Sequence, residues 1–144
     1  MLLLGRFFLS FALLGVLLSP VIAHTVTIEF GLYCRDGVLK NGNTSVLVEL
    51  FEKRYYGEDH ISHTPGVIND EYAHDITGTA SSNFYNNDFF LKFAHFCDSD
   101  ECPGERWSYY GLEETVANRT YYLNCIDLSQ KLNHGNQKDR CRSA

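Results

Sequence analysis

The sequence is poor in basic residues and in long apolar stretches. Lysine and arginine together number 12, against 18 aspartate and glutamate residues, and they form no cluster. Binding to nucleic acid or to anionic lipid headgroups requires clustered positive charge, so neither class of partner is expected. The longest apolar run, Phe7 to Leu18, is shorter than the ~20 residues of a membrane-spanning helix, and we expect no integral membrane segment.

The first 23 residues instead contain the three parts of a secretory signal peptide. Arg6 provides a positive start, Phe7 to Leu18 is the apolar centre, and Val21-Ile22-Ala23 is a small-residue cleavage pattern. We expect cleavage after Ala23 and secretion to the extracellular space, with an uncleaved signal anchor as the alternative. Arg6 is the only charged residue of this segment, so cleavage changes the net charge from −6 to −7.

Residue patterns typical of catalytic and cofactor sites are also missing. No Ser-His-Asp or Cys-His order stands out, and there is no glycine-rich phosphate loop. The series His95-x-Cys97-x4-Cys102 resembles a zinc half-site, but two cysteines this close in a secreted chain usually form a disulfide. We therefore predict no catalytic residue, no metal and no cofactor. A surface metal site at His60-x-x-His63 is the alternative.

Aromatic residues and alternating hydrophobicity are abundant. Ten phenylalanines and nine tyrosines against one methionine favour β-sheet over helix. Apolar residues occupy alternate positions in Thr25–Leu32, Ser45–Glu52 and Phe89–Phe96, which is typical of half-buried strands. Six to eight such strands joined by turns predict one small antiparallel β-sandwich over residues 24–128, with a small barrel as the alternative.

Two segments lack this alternation. Residues 55–82 are polar and contain several glycines, and we predict a long loop with one short strand near Tyr72 to Thr77. Residues 129–144 are polar and without periodicity, and we predict a mobile C-terminal tail.

Five cysteines in a secreted chain indicate disulfides and one odd thiol. We predict a Cys97–Cys102 bond, because the two residues flank a short turn between a strand and its return strand. Of Cys34, Cys125 and Cys141, two are expected to pair, and the sequence leaves open which two. The remaining thiol is either free or bonded to another molecule, so a homodimer is possible.

Several residues are candidates for modification or contact. Asn43 and Asn118 each begin an N-x-S/T glycosylation motif. His95 falls in the inward phase of its strand, where it is either a core histidine bonded to backbone or to a tyrosine hydroxyl, or the polar group of a ligand cavity. The aromatic cluster Trp107, Tyr109 and Tyr110 follows, and we predict that these side chains and His95 are possible ligand or partner contacts.

The order of these features resembles the nematode transthyretin-like family of secreted β-sandwiches. The resemblance covers about Thr25 to Leu128. It lies in Thr25-Val26-Thr27-Ile28, Gly31-Leu32-Tyr33-Cys34-Arg35-Asp36-Gly37, Val46-Leu47-Val48-Glu49-Leu50-Phe51-Glu52, Leu91-Lys92-Phe93-Ala94-His95-Phe96-Cys97, Cys102 and the strand Tyr121 to Leu128.

The resemblance implies a transthyretin-type fold and a non-enzymatic binding function outside the cell. The protein would carry a small apolar ligand or bridge cell-surface partners. The resemblance identifies neither the extracellular ligand nor the cell-surface protein. The alternative is a hydrolase of the hydroxyisourate hydrolase type, because that enzyme has the same fold. Such enzymes carry a Tyr-Arg-Gly-Ser type tail, whereas this chain ends Arg140-Cys141-Arg142-Ser143-Ala144.

Overall fold

The computed structural model describes residues 24–69, 73–80, 88–98, 102, 104–112 and 118–142. The expected signal peptide, residues 1–23, lies outside these described residues. Within them, the backbone forms β-strands and one short 3-10 turn, Lys40–Gly42. None of the helical structure described is long and apolar enough to cross a membrane.

One sheet has three strands, hydrogen-bonded in the order β5-β1-β9. These strands are β1 (His24–Tyr33), β5 (His74–Ala80) and β9 (Arg119–Asp127). Strand β1 pairs with β5 antiparallel and with β9 parallel. The parallel pair is a difference from the wholly antiparallel sandwich that the sequence predicted.

The second sheet has five strands in the order β10-β8-β6-β3-β4, and all its pairs are antiparallel. Its strands are β3 (Ser45–Arg54), β4 (Gly57–Val67), β6 (Asp88–His95), β8 (Glu105–Gly111) and β10 (Arg140–Arg142). A small ladder joins β2 (Val38–Leu39) to β7 (Cys97–Asp98).

The core lies between the two sheets, as expected for a sandwich. The alternate apolar residues predicted to face inward are all buried: Val26, Ile28, Phe30, Val46, Val48, Leu50, Leu91, Phe93, Ile126 and Leu128. Phe30 of the three-stranded sheet meets Phe93 of the five-stranded sheet edge to face, with ring centroids 6.0 Å apart. The predicted all-β sandwich is therefore confirmed.

The long loop predicted for residues 55–82 is wrong over residues 57–67. The predicted segment contains the eleven-residue strand β4 and all of β5, which overlaps the short strand predicted near Tyr72 to Thr77. Strand β4 is an edge strand of its sheet, so much of its length is solvent-exposed and polar, and it accommodates Pro65. Its weak alternation is thus a consequence of its edge position rather than of a loop.

The mobile tail predicted for residues 129–144 is also wrong over residues 129–142. Strand β10 pairs with β8, and Asp139 just before it bonds to the buried Arg106. The Leu132 carbonyl accepts a hydrogen bond from the Tyr109 N–H at 3.1 Å. Few apolar residues are needed to fix this segment, because a disulfide and an ion pair hold it.

The predicted Cys97–Cys102 disulfide is wrong, since these residues bond to other cysteines. Cys34 pairs with Cys97, with Cα atoms 5.8 Å apart, and Cys102 pairs with Cys141 at 5.4 Å. The β2–β7 ladder places Cys97 opposite Leu39, close to the end of β1 where Cys34 lies. Cys125 is the odd thiol, and it is exposed.

Candidate functional site

The outward face of the five-stranded sheet carries a continuous row of aromatic and charged side chains. We call this row the outer strip. Its members share the outward side of the sheet and cross all five strands from β4 to β10: His60, His63, Glu49, Phe51, Lys92, Trp107, Arg140 and Arg142.

Trp107 of β8 is surrounded by cationic side chains from both neighbouring strands, β6 and β10. The Lys92 ammonium stands over its ring, 4.1 Å from the centroid, and the Arg140 guanidinium carbon lies 4.6 Å from it. Arg142 is a third cation near the ring, at 5.4 Å. The indole N–H donates to the Glu105 carboxylate at 2.6 Å, so the ring orientation is fixed by a hydrogen bond as well as by cation–π contacts.

The other end of the strip is organised around Glu49. Its Oε2 accepts a hydrogen bond from the Lys92 ammonium at 2.6 Å, and its Oε1 lies 3.6 Å from His60 Nε2. Glu49 and Lys92 are both largely buried, with 18% and 16% of their side chains exposed, and His60 is more exposed, at 43%. This carboxylate therefore connects a permanent cation to an imidazole that is charged only when protonated.

A β-bulge gives the two histidines a common face. Residues three apart in a regular strand point to opposite sides, but the register shifts so that Leu50 faces Ser62 while Phe51 faces His60. Ile61 is the extra residue of the bulge. His60 and His63 consequently both point outward, with ring centroids 5.8 Å apart.

His95, predicted as a possible contact residue, is fully buried in the inner face of β6. Its Nδ1 accepts a hydrogen bond from the Cys97 N–H at 3.2 Å, and its Nε2 lies 2.9 Å from Ser108 Oγ. The Ser108 hydroxyl in turn donates to Asp139 Oδ2 at 2.6 Å, and Arg106 Nε donates to Oδ1 at 2.7 Å. This matches a core histidine satisfied by backbone and by a hydroxyl, which is a serine rather than a tyrosine.

The direction of these hydrogen bonds distinguishes the group from a nucleophilic triad. Because Nδ1 of His95 is an acceptor, its Nε2 carries the proton and donates to Ser108. A nucleophilic serine must instead donate its proton to the histidine. The described arrangement of Ser108, His95 and Asp139 therefore fixes the C-terminal segment to the sheet and does not prepare an attacking serine.

The three aromatic candidates have different environments. Trp107 is half-buried within the outer strip, whereas Tyr109 is 3% exposed and pairs with Lys92 under the C-terminal segment. Tyr110 points inward and packs partly buried against the core. Of the four predicted contact residues, Trp107 is thus the one that the structure presents on the outer strip.

Sequence reasoning missed most of the strip. Glu49, Phe51 and Lys92 occupy the outward phase of strands that were correctly predicted, so the period-two pattern could have identified them. Arg140 and Arg142 lie in the segment predicted to be a mobile tail. Their approach to Trp107 depends on the β8–β10 pairing, for which the sequence contains no local signal.

The two glycosylation motifs lie at the surface. Asn118 is exposed and precedes β9, and its side-chain oxygen accepts a hydrogen bond from the Thr25 N–H at 3.3 Å. Asn43 is half-buried and accepts from the Ser45 N–H at 2.9 Å. Glycan attachment at either position stays a prediction.

The paired ends of β1 and β9 contain the free thiol of Cys125 and two groups with a shifted pKa, Tyr33 and Asp127. A side-chain hydrogen bond with Cys125 raises the pKa of the Tyr33 phenol above its ordinary value. Partial burial of the Asp127 carboxyl raises its pKa, but hydrogen bonds from the Ser129 hydroxyl and N–H and from the Arg35 N–H outweigh this effect. The pKa of Asp127 is consequently lowered.

Among the described residues, no three His, Cys, Asp or Glu side chains are gathered as a metal site. Comparison with known protein families finds no family that matches this chain, and comparison with curated proteins finds no match either.

Proposed function

We propose that the protein is a secreted, non-enzymatic binding protein of the extracellular space, of the kind that the transthyretin-like resemblance implies. The signal-peptide pattern of residues 1–23 supports secretion. The two disulfides are compatible with secretion, because disulfides persist in oxidising compartments such as the extracellular space.

The recognition surface in this proposal is the outer strip, and the partner is a macromolecule at the cell surface. The observation that carries the proposal is the contact of the Trp107 ring with the Lys92 ammonium and the Arg140 guanidinium on the outward face of the sheet. Tryptophan and arginine are enriched among the residues that dominate protein–protein binding energies. Since Glu49 and Glu105 already hold their partners in place, little side-chain entropy remains to be lost on binding.

An open sheet face suits a macromolecule better than a small apolar ligand. Small-ligand sites are concave and enclose most of the ligand surface. The outer strip crosses five strands spaced ~4.8 Å apart, so its span from β4 to β10 is about 19 Å. A surface of this width and shape matches part of a protein–protein interface.

A matched pair of charge reversals tests this assignment. Arg140 and Arg119 are both exposed arginines that begin a strand, but they lie on different sheets. We expect Arg140→Glu to weaken binding of the labelled protein to cell surfaces at least tenfold and Arg119→Glu to leave it unchanged. Equal binding by all three proteins would contradict the assignment of the surface. Hydrolysis of hydroxyisourate at an enzymic rate would contradict the non-enzymatic function itself.

A further inference from the structure

We propose that His60 and His63 form a surface site for a borderline divalent transition-metal ion such as Zn²⁺. The bulge at Ile61 brings the two imidazoles to one face of an edge strand. Bulges frequently re-aim side chains next to functional sites. This inference does not depend on the proposed partner, because metal binding is measured directly.

The separation of the two rings fits a shared ion. A histidine nitrogen binds zinc at ~2.1 Å, which places the ring centre about 3.2 Å from the metal. Two rings that bind one tetrahedral ion therefore have their centres about 5.2 Å apart. The observed separation of His60 and His63 is 5.8 Å. Both side chains are exposed, so rotation about χ1 closes this small difference and rotation about χ2 aims the nitrogens, without any movement of the backbone.

Glu49 places a carboxylate oxygen beside the pair, as a third ligand or as a hydrogen-bond acceptor. It is the cross-strand neighbour of His63, and its Oε1 is 3.6 Å from His60 Nε2. Two ligands of one tetrahedral zinc ion lie about 3.4 Å apart. The three groups do not yet surround a common point, so binding requires a small adjustment of their side chains.

The charges around the pair are compatible with a bound cation. On β6, Lys92 is neutralised by Glu49, to which it donates at 2.6 Å. On the same hairpin as the histidines, Arg54 is neutralised by Asp59 at 2.7 Å. Phe51 packs against His60 edge to face at 5.3 Å and limits solvent on one side. Neutral imidazoles are the form that binds metal, so protons compete with the ion.

Zinc titration of the purified protein, followed by competition with a chromophoric chelator, tests the site. We expect one equivalent of Zn²⁺ to bind, with water completing the coordination. We expect His60→Ala and His63→Ala each to weaken the affinity at least tenfold. Because protons compete with the metal for the imidazole nitrogens, binding is expected to weaken as the pH is lowered from 7.5 to 5.5.

Two control variants exclude other histidines. His74→Ala changes the same residue type on the opposite sheet, where its Nε2 lies 2.9 Å from the Val67 carbonyl, and is expected to leave the affinity unchanged. His24→Ala replaces the expected first residue of the mature protein and is likewise expected to leave the zinc affinity unchanged. Circular dichroism of each variant confirms that the fold is retained. Absence of zinc binding, or binding that both His60→Ala and His63→Ala leave intact, would overturn the proposal.

Discussion

Replacing Asp139 by alanine should destabilise the protein strongly, because it removes the carboxylate that faces a buried cation. Arg106 and Asp139 expose 5% and 7% of their side chains, and their Nε and Oδ1 atoms are 2.7 Å apart. The same carboxylate accepts the Ser108 hydroxyl, which in turn contacts His95. Breaking a buried ion pair by removing one partner costs roughly 3–5 kcal/mol.

A surface pair of the same chemistry is the control. Arg54 and Asp59 are also 2.7 Å apart, but their side chains are 43% and 47% exposed. Exposed pairs contribute about 0–1 kcal/mol, so Asp59→Ala should have little effect. The double variant Arg106→Leu, Asp139→Leu should lose less stability than Asp139→Ala, because it leaves no uncompensated buried charge.

Urea denaturation, with the unfolding free energy extrapolated to water, measures each variant. An unchanged slope for every protein confirms that only the stability of the folded state differs. If Asp139→Ala lost no more than Asp59→Ala, the buried pair would not hold the C-terminal segment, and the network around it would be wrong.

Other consequences concern the disulfides and acid stability. Opening the Cys102–Cys141 loop with the double serine variant should lower the unfolding free energy by about 4 kcal/mol in the chain-entropy estimate, measured by urea denaturation; a loss below about 1 kcal/mol would contradict it. A thiol assay on the folded, unreduced protein should find one reactive thiol, which Cys125→Ser removes; any thiol remaining in that variant would contradict the pairing. Because the pKa of Asp127 is lowered by folding, its contribution is present above the ordinary value of 3.8 and is lost as the pH falls through the folded pKa. Asp127→Asn should therefore destabilise at pH 7 and have a smaller effect near pH 2, and an equal effect at both would refute the role of its hydrogen bonds with Ser129.

The central part of the fold could be predicted because its strands contain both buried and exposed faces. Val46, Val48 and Leu50 alternate with polar residues, so period two identifies both the strand and the face that packs. Strand β4 lacks this signal because it lies at a sheet edge, where neither face needs a continuous apolar row.

The cysteine pairing and the outer strip depend on contacts that are remote in sequence. Cys97 bonds to Cys34, 63 residues away, because a two-residue ladder turns it toward β1 rather than toward Cys102. In the same way, Arg140 reaches Trp107 only through the β8–β10 register. The spacing His60-x-x-His63 identified the pair, but its common face depends on one extra residue in β4, because residues i and i+3 of a regular strand point to opposite faces.

The central claim is that the outer strip is the surface that meets an extracellular partner. Photo-crosslinking from a benzophenone side chain tests it most directly, with the probe at the exposed position 47, beside the strip on the same outward face, or at position 77 on the outward face of the other sheet. Thr77 is exposed, so its face is also accessible to a partner. Its hydroxyl forms a hydrogen bond with the Thr27 hydroxyl at 2.9 Å. We predict that the probe at position 47 crosslinks to one discrete cell-surface species, that unlabelled protein competes for it, and that the probe at position 77 gives no such crosslink. Equal crosslinking from both positions, or crosslinking from position 77 alone, would contradict the account.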